Sequence, residues 1–219
     1  MEKKDLLEFS PIRFFEKATS ANLKAGEMGL VTAKKGLGKT SILVQFAIDS
    51  LLDGNALVHV SFDQKSSNVI SWYSSVLSEI AKKRSVNIAE MEDEIVRDRT
   101  ILNFNQETFS LPKVVNTLKA LKEGGIKINT IVVDGLDMLK VSKEDLSCFA
   151  DFVKSENMKA WFSYTSEACE LKDTLPSQLL DFFTTVAHLA TESNSLALSV
   201  LKNGTGKVTL DAKTLLISK

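Results

Sequence analysis

Gly29-Leu30-Val31-Thr32-Ala33-Lys34-Lys35-Gly36-Leu37-Gly38-Lys39-Thr40 is the stretch whose reading decides the fold. A short apolar run enters a basic, glycine-bearing loop that ends in Gly-Lys-Thr. A helical pattern from Ser41 to Leu51 follows. This strand–loop–helix order is the context that a phosphate-binding loop requires, and the motif alone is insufficient without it. Gly36 and Gly38 let the backbone turn its N–H groups inward around an anion. The helix after the loop adds its N-terminal donors and the positive end of its dipole. In such a loop Lys39 reaches the β- and γ-phosphates and the Thr40 hydroxyl sits on Mg²⁺. The expected cradle is Ala33, Lys34, Lys35, Gly36, Leu37, Gly38, Lys39, Thr40 and Ser41, with Ala33 where the motif usually begins in glycine.

Downstream, strand and helix patterns alternate. Ile42, Leu43, Phe46, Ala47, Ser50 and Leu51 share one helical face, which stops at Asp53-Gly54. Ala56 to Phe62 is a nearly continuous apolar strand, as a sheet covered on both faces demands. Val69, Trp72, Tyr73, Val76, Leu77 and Ile80 recur at helical spacing after Ser66 or Ser67. Residues 84–110 read as a surface insertion, charge-rich over 84–99 with a weak amphipathic helix, then a short strand over Thr100–Phe104. A helix from Ser110 closes at Gly124-Gly125, and Asn129 to Asp134 is the next buried strand. Ser142 and Asp145 open a further helix, Met158 to Tyr164 is another strand, and a short helix spans Pro176 to Phe182.

The tail changes character. Thr184–Ala190, Ser195–Lys202 and Lys207–Leu210 read as strands, with Asn203-Gly204-Thr205-Gly206 as a hairpin loop. The expected fold is a single α/β domain over 1–219, with 1–22 as a lead-in segment. Its sheet is mainly parallel and flanked by helices, with antiparallel strands at the C-terminal edge. Ligands of such sheets bind at the carboxyl ends of the strands, where the loop at Gly36, Asp63 and Asp134 all fall.

Composition excludes several classes. Net charge is −1, so no global basic field points to nucleic acid or an anionic membrane. No apolar run approaches the roughly 20 residues of a membrane helix, and the start has no signal-peptide pattern. Cys148 and Cys169 read as reduced, partly buried thiols of a cytoplasmic protein, with no metal-ligand spacing around them. His59 and His188 lie in strand patterns and read as packing residues.

The strand Ile131-Val132-Val133 ending in Asp134 is a Walker B pattern, whose carboxylate would hold Mg²⁺ beside Thr40. Asp63 is a candidate base or water-orienting carboxylate, with helix capping as its plainer reading. Asp137 reads as a solvated turn residue or a group behind the metal.

These motifs resemble the RecA-superfamily ATPases, nearest the KaiC-like and DnaB-helicase-like branch. LKAGEMGLVTAKKGLGKTSILVQFA (23–47) resembles that branch's entry strand and P-loop, where alanine in the first position is familiar. ALVHVSFDQ (56–64) resembles its second strand, with Asp63 at the place of a catalytic glutamate. TIVVDGLDML (130–139) resembles its Walker B strand. LSVLKNGTGKVTL (198–210) resembles its closing hairpin, where a Lys-x-Arg finger reaches the neighbouring subunit's γ-phosphate. Lys202 stands at the arginine and Val200 at the lysine.

The resemblance implies a RecA-like P-loop fold, ATP and Mg²⁺ as ligands, and a homo-oligomeric ring or filament. It also implies catalytic roles for Lys39, Asp63 and Lys202. Asp63 is one methylene short of glutamate, and a misplacement of ~1 Å can cost about a hundredfold. Lys202 offers a point charge in place of a planar fork. The expectation is therefore ATP binding with slow or partner-stimulated hydrolysis. The alternatives are a non-hydrolysing ATP sensor or scaffold for a protein partner, or an ATP-dependent DNA-binding accessory protein. Glu167, Glu170 and Asp173 against Lys172 in the loop after the fourth strand argue against a DNA-translocating role.

Overall fold

The computed structural model describes residues 6–62, 64–83, 88, 91–105, 107, 110–192 and 195–218. In chain order the elements are α1 (Pro11–Thr19), β1 (Met28–Ala33), α2 (Lys39–Leu52), β2 (Leu57–Ser61), α3 (Ser66–Lys82), α4 (Glu92–Val96) and β3 (Arg99–Asn103). Next come α5 (Leu111–Glu123), β4 (Thr130–Asp134), a 3₁₀ turn (Met138–Lys140), α6 (Lys143–Ser155), β5 (Lys159–Thr165), α7 (Leu171–Thr174) and α8 (Ser177–Leu180). The chain closes with β6 (Thr185–Glu192), β7 (Ser195–Lys202), β8 (Lys207–Leu210) and β9 (Ile217–Ser218).

Among the described residues the strands form one sheet in the order β3-β2-β4-β5-β1-β6-β7-β8-β9. Every pairing from β3 to β6 is parallel, and those from β6 to β9 are antiparallel. The α/β architecture is thus the expected one, with helices on both faces and antiparallel strands at the C-terminal edge.

The pleat sends alternate residues to opposite faces. Val31, Ala33, Val132 and Trp161 face a core shared with α1, α2 and α3. Leu30, Ile131, Val133 and Phe162 face a second core shared with α5, α6 and α8. Continuous apolar strands such as β4, buried at every position, are what two covered faces require.

Several local details add to the expectation or depart from it. Pro11 opens α1 at its first helical position, where a missing N–H costs nothing, after Ser10 as N-cap. Arg13 of α1 then bridges to Asp49 of α2 at 3.1 Å. The helix expected over 84–99 is described only at Glu92–Val96, anchored by buried Ile95, while 84–87, 89 and 90 lie outside the described residues. Within the stretch 84–110 read as a surface insertion, the short strand expected over Thr100–Phe104 is β3, which pairs in parallel with β2 at the sheet edge. The short C-terminal strand β9 and the turn before it had no sequence signal.

Candidate functional site

The loops after β1, β2 and β4 and the end of β5 meet at the carboxyl ends of the parallel strands, with α3 and the turn before β9 beside them. They border a cleft of about 1010 Å³ lined by Lys35, Lys39, Thr40, Gln64, Asp134 and Ser163, among others. The glycine loop between β1 and α2 forms its floor. Gly36 and Gly38 hold φ of 84° and 105°, a region closed to most side chains. Gly38 is the N-cap of α2 and no side chain caps it, so the first turn of the helix presents its amides at the head of the loop. An anion is the natural partner for such amides.

Ala33 is accounted for by its backbone. It is the last residue of β1, paired with Thr165 and Leu189, and needs no glycine there. Its carbonyl and that of Lys34 accept hydrogen bonds from the Lys39 ammonium at 3.4 and 3.5 Å. The Lys34 side chain turns away to Glu167 at 3.4 Å. Leu37 packs against the core under the loop. Of the nine expected cradle residues, Lys35, Gly36, Gly38, Lys39, Thr40 and Ser41 border the cleft.

Thr40 donates to Oδ2 of Asp134 at 2.7 Å. The other carboxylate oxygen accepts from Ser163 of β5 at 2.5 Å, and Ser163 in turn accepts the Gly135 amide at 3.0 Å. This works because β5 lies between β1 and β4, so its Ser163 supports the carboxylate from the intervening strand. Burial pushes the Asp134 carboxyl up, while the Ser163 and Thr40 hydroxyls and the Lys39 ammonium pull it back toward ionisation.

A hydroxyl and a carboxylate in contact are an oxygen-only donor pair suited to a hard cation. No cluster of three or more His, Cys, Asp or Glu side chains forms a metal cage among the described residues. A cation here would draw its remaining ligands from water and from the oxygens of a bound anion, as Mg²⁺ commonly does.

Asp137 caps the 3₁₀ turn through the Leu139 amide at 3.2 Å and pairs with Lys140 at 3.4 Å, which is the turn role. Asp63 lies outside the described residues. Its neighbour Gln64 borders the cleft, with its amide held by the Ser61 hydroxyl at 3.1 Å. Lys202 does not border the cleft, and its ammonium donates to the Leu180 carbonyl of its own chain at 3.1 Å.

Cys148 and Cys169 are both exposed, correcting the expectation of partly buried thiols, because each faces outward from the element or loop that carries it. His59 is buried against the Tyr73 hydroxyl at 3.1 Å, and His188 against Thr32 at 2.9 Å. No helix among the described residues is long and apolar enough to cross a membrane.

Sequence reasoning missed Ser163, Trp72 and the turn at Lys213–Leu215, all of which border the cleft. Ser163 had a faint signal, as a polar residue directly after the apolar run from Ala160 to Phe162. The C-terminal turn had none.

The family model described as Nephrocystin 3, N-terminal matches residues 14–167. The chain belongs to this family. The matched region runs from α1 to just past β5, so it takes in the glycine loop, Thr40, Asp134 and Ser163. Lys202 and the C-terminal turn lie beyond it. No curated protein matches the chain.

Proposed function

We propose that this protein binds ATP with Mg²⁺ in the cleft, as a RecA-like P-loop protein, and hydrolyses it slowly or when a partner stimulates it. The observation that carries this reading is the 2.7 Å hydrogen bond from Thr40 to Asp134, beside a glycine loop whose helix has no side-chain cap. The amides of Lys39 to Ser41 take phosphate oxygens, and the Lys39 ammonium leaves the loop carbonyls for the terminal phosphates. Thr40 and Asp134 hold Mg²⁺, which supplies charge neutralisation on the phosphates. Ser163 keeps the carboxylate oriented and ionised. Asp63 orients the attacking water, and the products are ADP and phosphate. The sequence resemblance to the KaiC-like and DnaB-helicase-like branch supports the same assignment.

Equilibrium titration of the full chain with ATP and Mg²⁺, beside Lys39→Ala, tests the reading. Saturable binding by the wild type that weakens at least tenfold in the variant is expected. Absence of binding by the wild type overturns it.

The second reading, a non-hydrolysing ATP sensor for a protein partner, draws on Lys202. A finger that acts on a neighbouring subunit in a ring or filament must first leave the Leu180 carbonyl. Single-turnover hydrolysis separates the two readings: tight binding with no turnover in wild type, alone or assembled, favours the sensor.

A further inference from the structure

The cleft is larger than a phosphate chain needs and sits at the upper end of volumes that enclose drug-sized ligands. Its polar end is fixed by Thr40, Asp134 and Ser163. The far wall of the cleft, where Trp72, Val76 and Leu215 are its apolar members, comes from two segments with no part in that cluster. One is a stripe on α3, where Trp72, Val76 and Glu79 follow one another at helical spacing and border the cleft. The other is the C-terminal turn, which contributes Thr214 and Leu215.

The direction of the ligand follows from the helix. In a glycine loop of this kind the lysine takes the terminal phosphates and the threonine the metal, so the nucleoside leaves on the side away from the metal carboxylate. At about 100° per residue, Gln45 lies roughly 140° around α2 from Thr40. Gln45 donates to the Leu215 carbonyl at 2.8 Å, and a Cβ on Gly38 would meet Leu215 at 3.0 Å. The C-terminal turn therefore packs on the flank of α2 that faces away from Asp134. The α3 stripe runs toward the same turn. Its next member is Lys83, whose charge adds to the Thr214 and Lys213 amides in holding the Asp211 carboxyl low.

We propose that Trp72 is the platform on which the nucleobase stacks, with Leu215 of the C-terminal turn closing the other side, an inference that rests on the nucleotide reading above. Trp72 is half-buried, packed against the core on one side and bordering the cleft. Aromatic faces stack on any base, so Trp72 supplies affinity for the nucleoside and little discrimination among bases.

Calorimetric titration of the full chain with Mg²⁺ and either ATP or inorganic tripolyphosphate tests this. Wild type, Trp72→Leu and Trp72→Phe are compared. Trp72→Leu is expected to weaken ATP about tenfold or more and to leave tripolyphosphate unchanged, with Trp72→Phe recovering most of the loss. Equal ATP affinity in wild type and Trp72→Leu overturns the inference while leaving the phosphate site standing. Equal loss of both ligands in Trp72→Leu also overturns it, since Trp72 would then shape the phosphate cradle. Wild type that binds neither ligand removes the nucleotide reading and this inference with it.

Discussion

Thr40 and Asp134, separated by 94 positions in the chain, meet in a 2.7 Å hydrogen bond at the carboxyl end of the sheet. Two oxygens brought together from α2 and β4, in a largely buried place, are the donors that the proposed Mg²⁺ would take from the chain. Replacing Asp134 by asparagine keeps the shape and removes the charge. Asp134→Asn and Thr40→Ala are each expected to lose about tenfold or more of the affinity that Mg²⁺ adds to ATP binding. ATP affinity in EDTA should change little. Calorimetry with and without Mg²⁺ reads the difference, and a variant that keeps the full Mg²⁺ effect refutes the metal assignment.

The residue behind that pair is open to the same approach. Ser163 donates to the buried carboxylate and accepts the Gly135 amide. Ser163→Ala is expected to cost about 1.5–3 kcal/mol of stability, the range for a hydrogen bond to a charged group. Urea denaturation measures it, and a loss under about 0.5 kcal/mol would mean that water replaces the hydroxyl.

Gly29 sits in β1 under Trp161, and a Cβ there would lie 2.4 Å from the indole ring. The indole cannot retreat easily, because it stacks on Phe46 of α2 with centroids 3.9 Å apart. Gly29→Ala should therefore destabilise by about 1–3 kcal/mol, the usual cost of overpacking a core. Trp161→Leu in the same chain should recover part of that loss. Additive losses in the double variant would show that the two positions do not compete for one space.

Much of this architecture was open to inspection in the sequence, for a physical reason. Strands covered on both faces must be apolar throughout, so β2 and β4 announce themselves. Helices with one buried face repeat at 3.6, so α2, α3, α5 and α6 do as well. The loop glycines and Asp134 were legible as neighbours because both fall at strand carboxyl ends, where a parallel sheet brings its loops together. What stayed hidden depends on contacts between distant segments. Ser163 matters only because β5 falls between β1 and β4, and Leu215 only because a turn 170 positions from Gln45 folds onto it. The short strand over Thr100–Phe104 was legible, but its place beside β2 was not, because an edge strand need not be uniformly apolar.

His59 carries a pH dependence whose sign is fixed by its burial. Burial, aided by the Arg99 charge, lowers its pKa from 6.5 to about 3. The unfolded chain thus takes up a proton near pH 6.5 that the folded chain refuses until about pH 3. The stabilising share of neutral His59 is complete above pH 6.5 and is lost progressively as pH falls toward 3. The loss approaches about 1.4 kcal/mol per pH unit within that window. His59→Gln retains a partner for the Tyr73 hydroxyl and cannot titrate. Denaturant unfolding at several pH values should give a shallower acid slope for the variant, and an unchanged slope would show that His59 is not the group responsible.

Gln45 is fully buried, and both ends of its amide hold the C-terminal segment. Its nitrogen donates to the Leu215 carbonyl at 2.8 Å and its oxygen accepts the Ile217 amide at 2.9 Å. β9 is two residues long and pairs only with β8 among the described residues, so this side chain supplies much of what fixes the tail. Gln45→Met keeps the volume and removes both hydrogen bonds. Each backbone group left without a partner in a buried place costs about 1–3 kcal/mol, unless the segment lifts and meets water. Lifting is the easier route for a two-residue strand at a sheet edge. Hydrogen exchange at the Ile217 amide should then accelerate strongly in the variant, while amides in β4 keep their protection. Unchanged exchange at Ile217 would mean that the pairing of β8 with β9 holds the tail without Gln45.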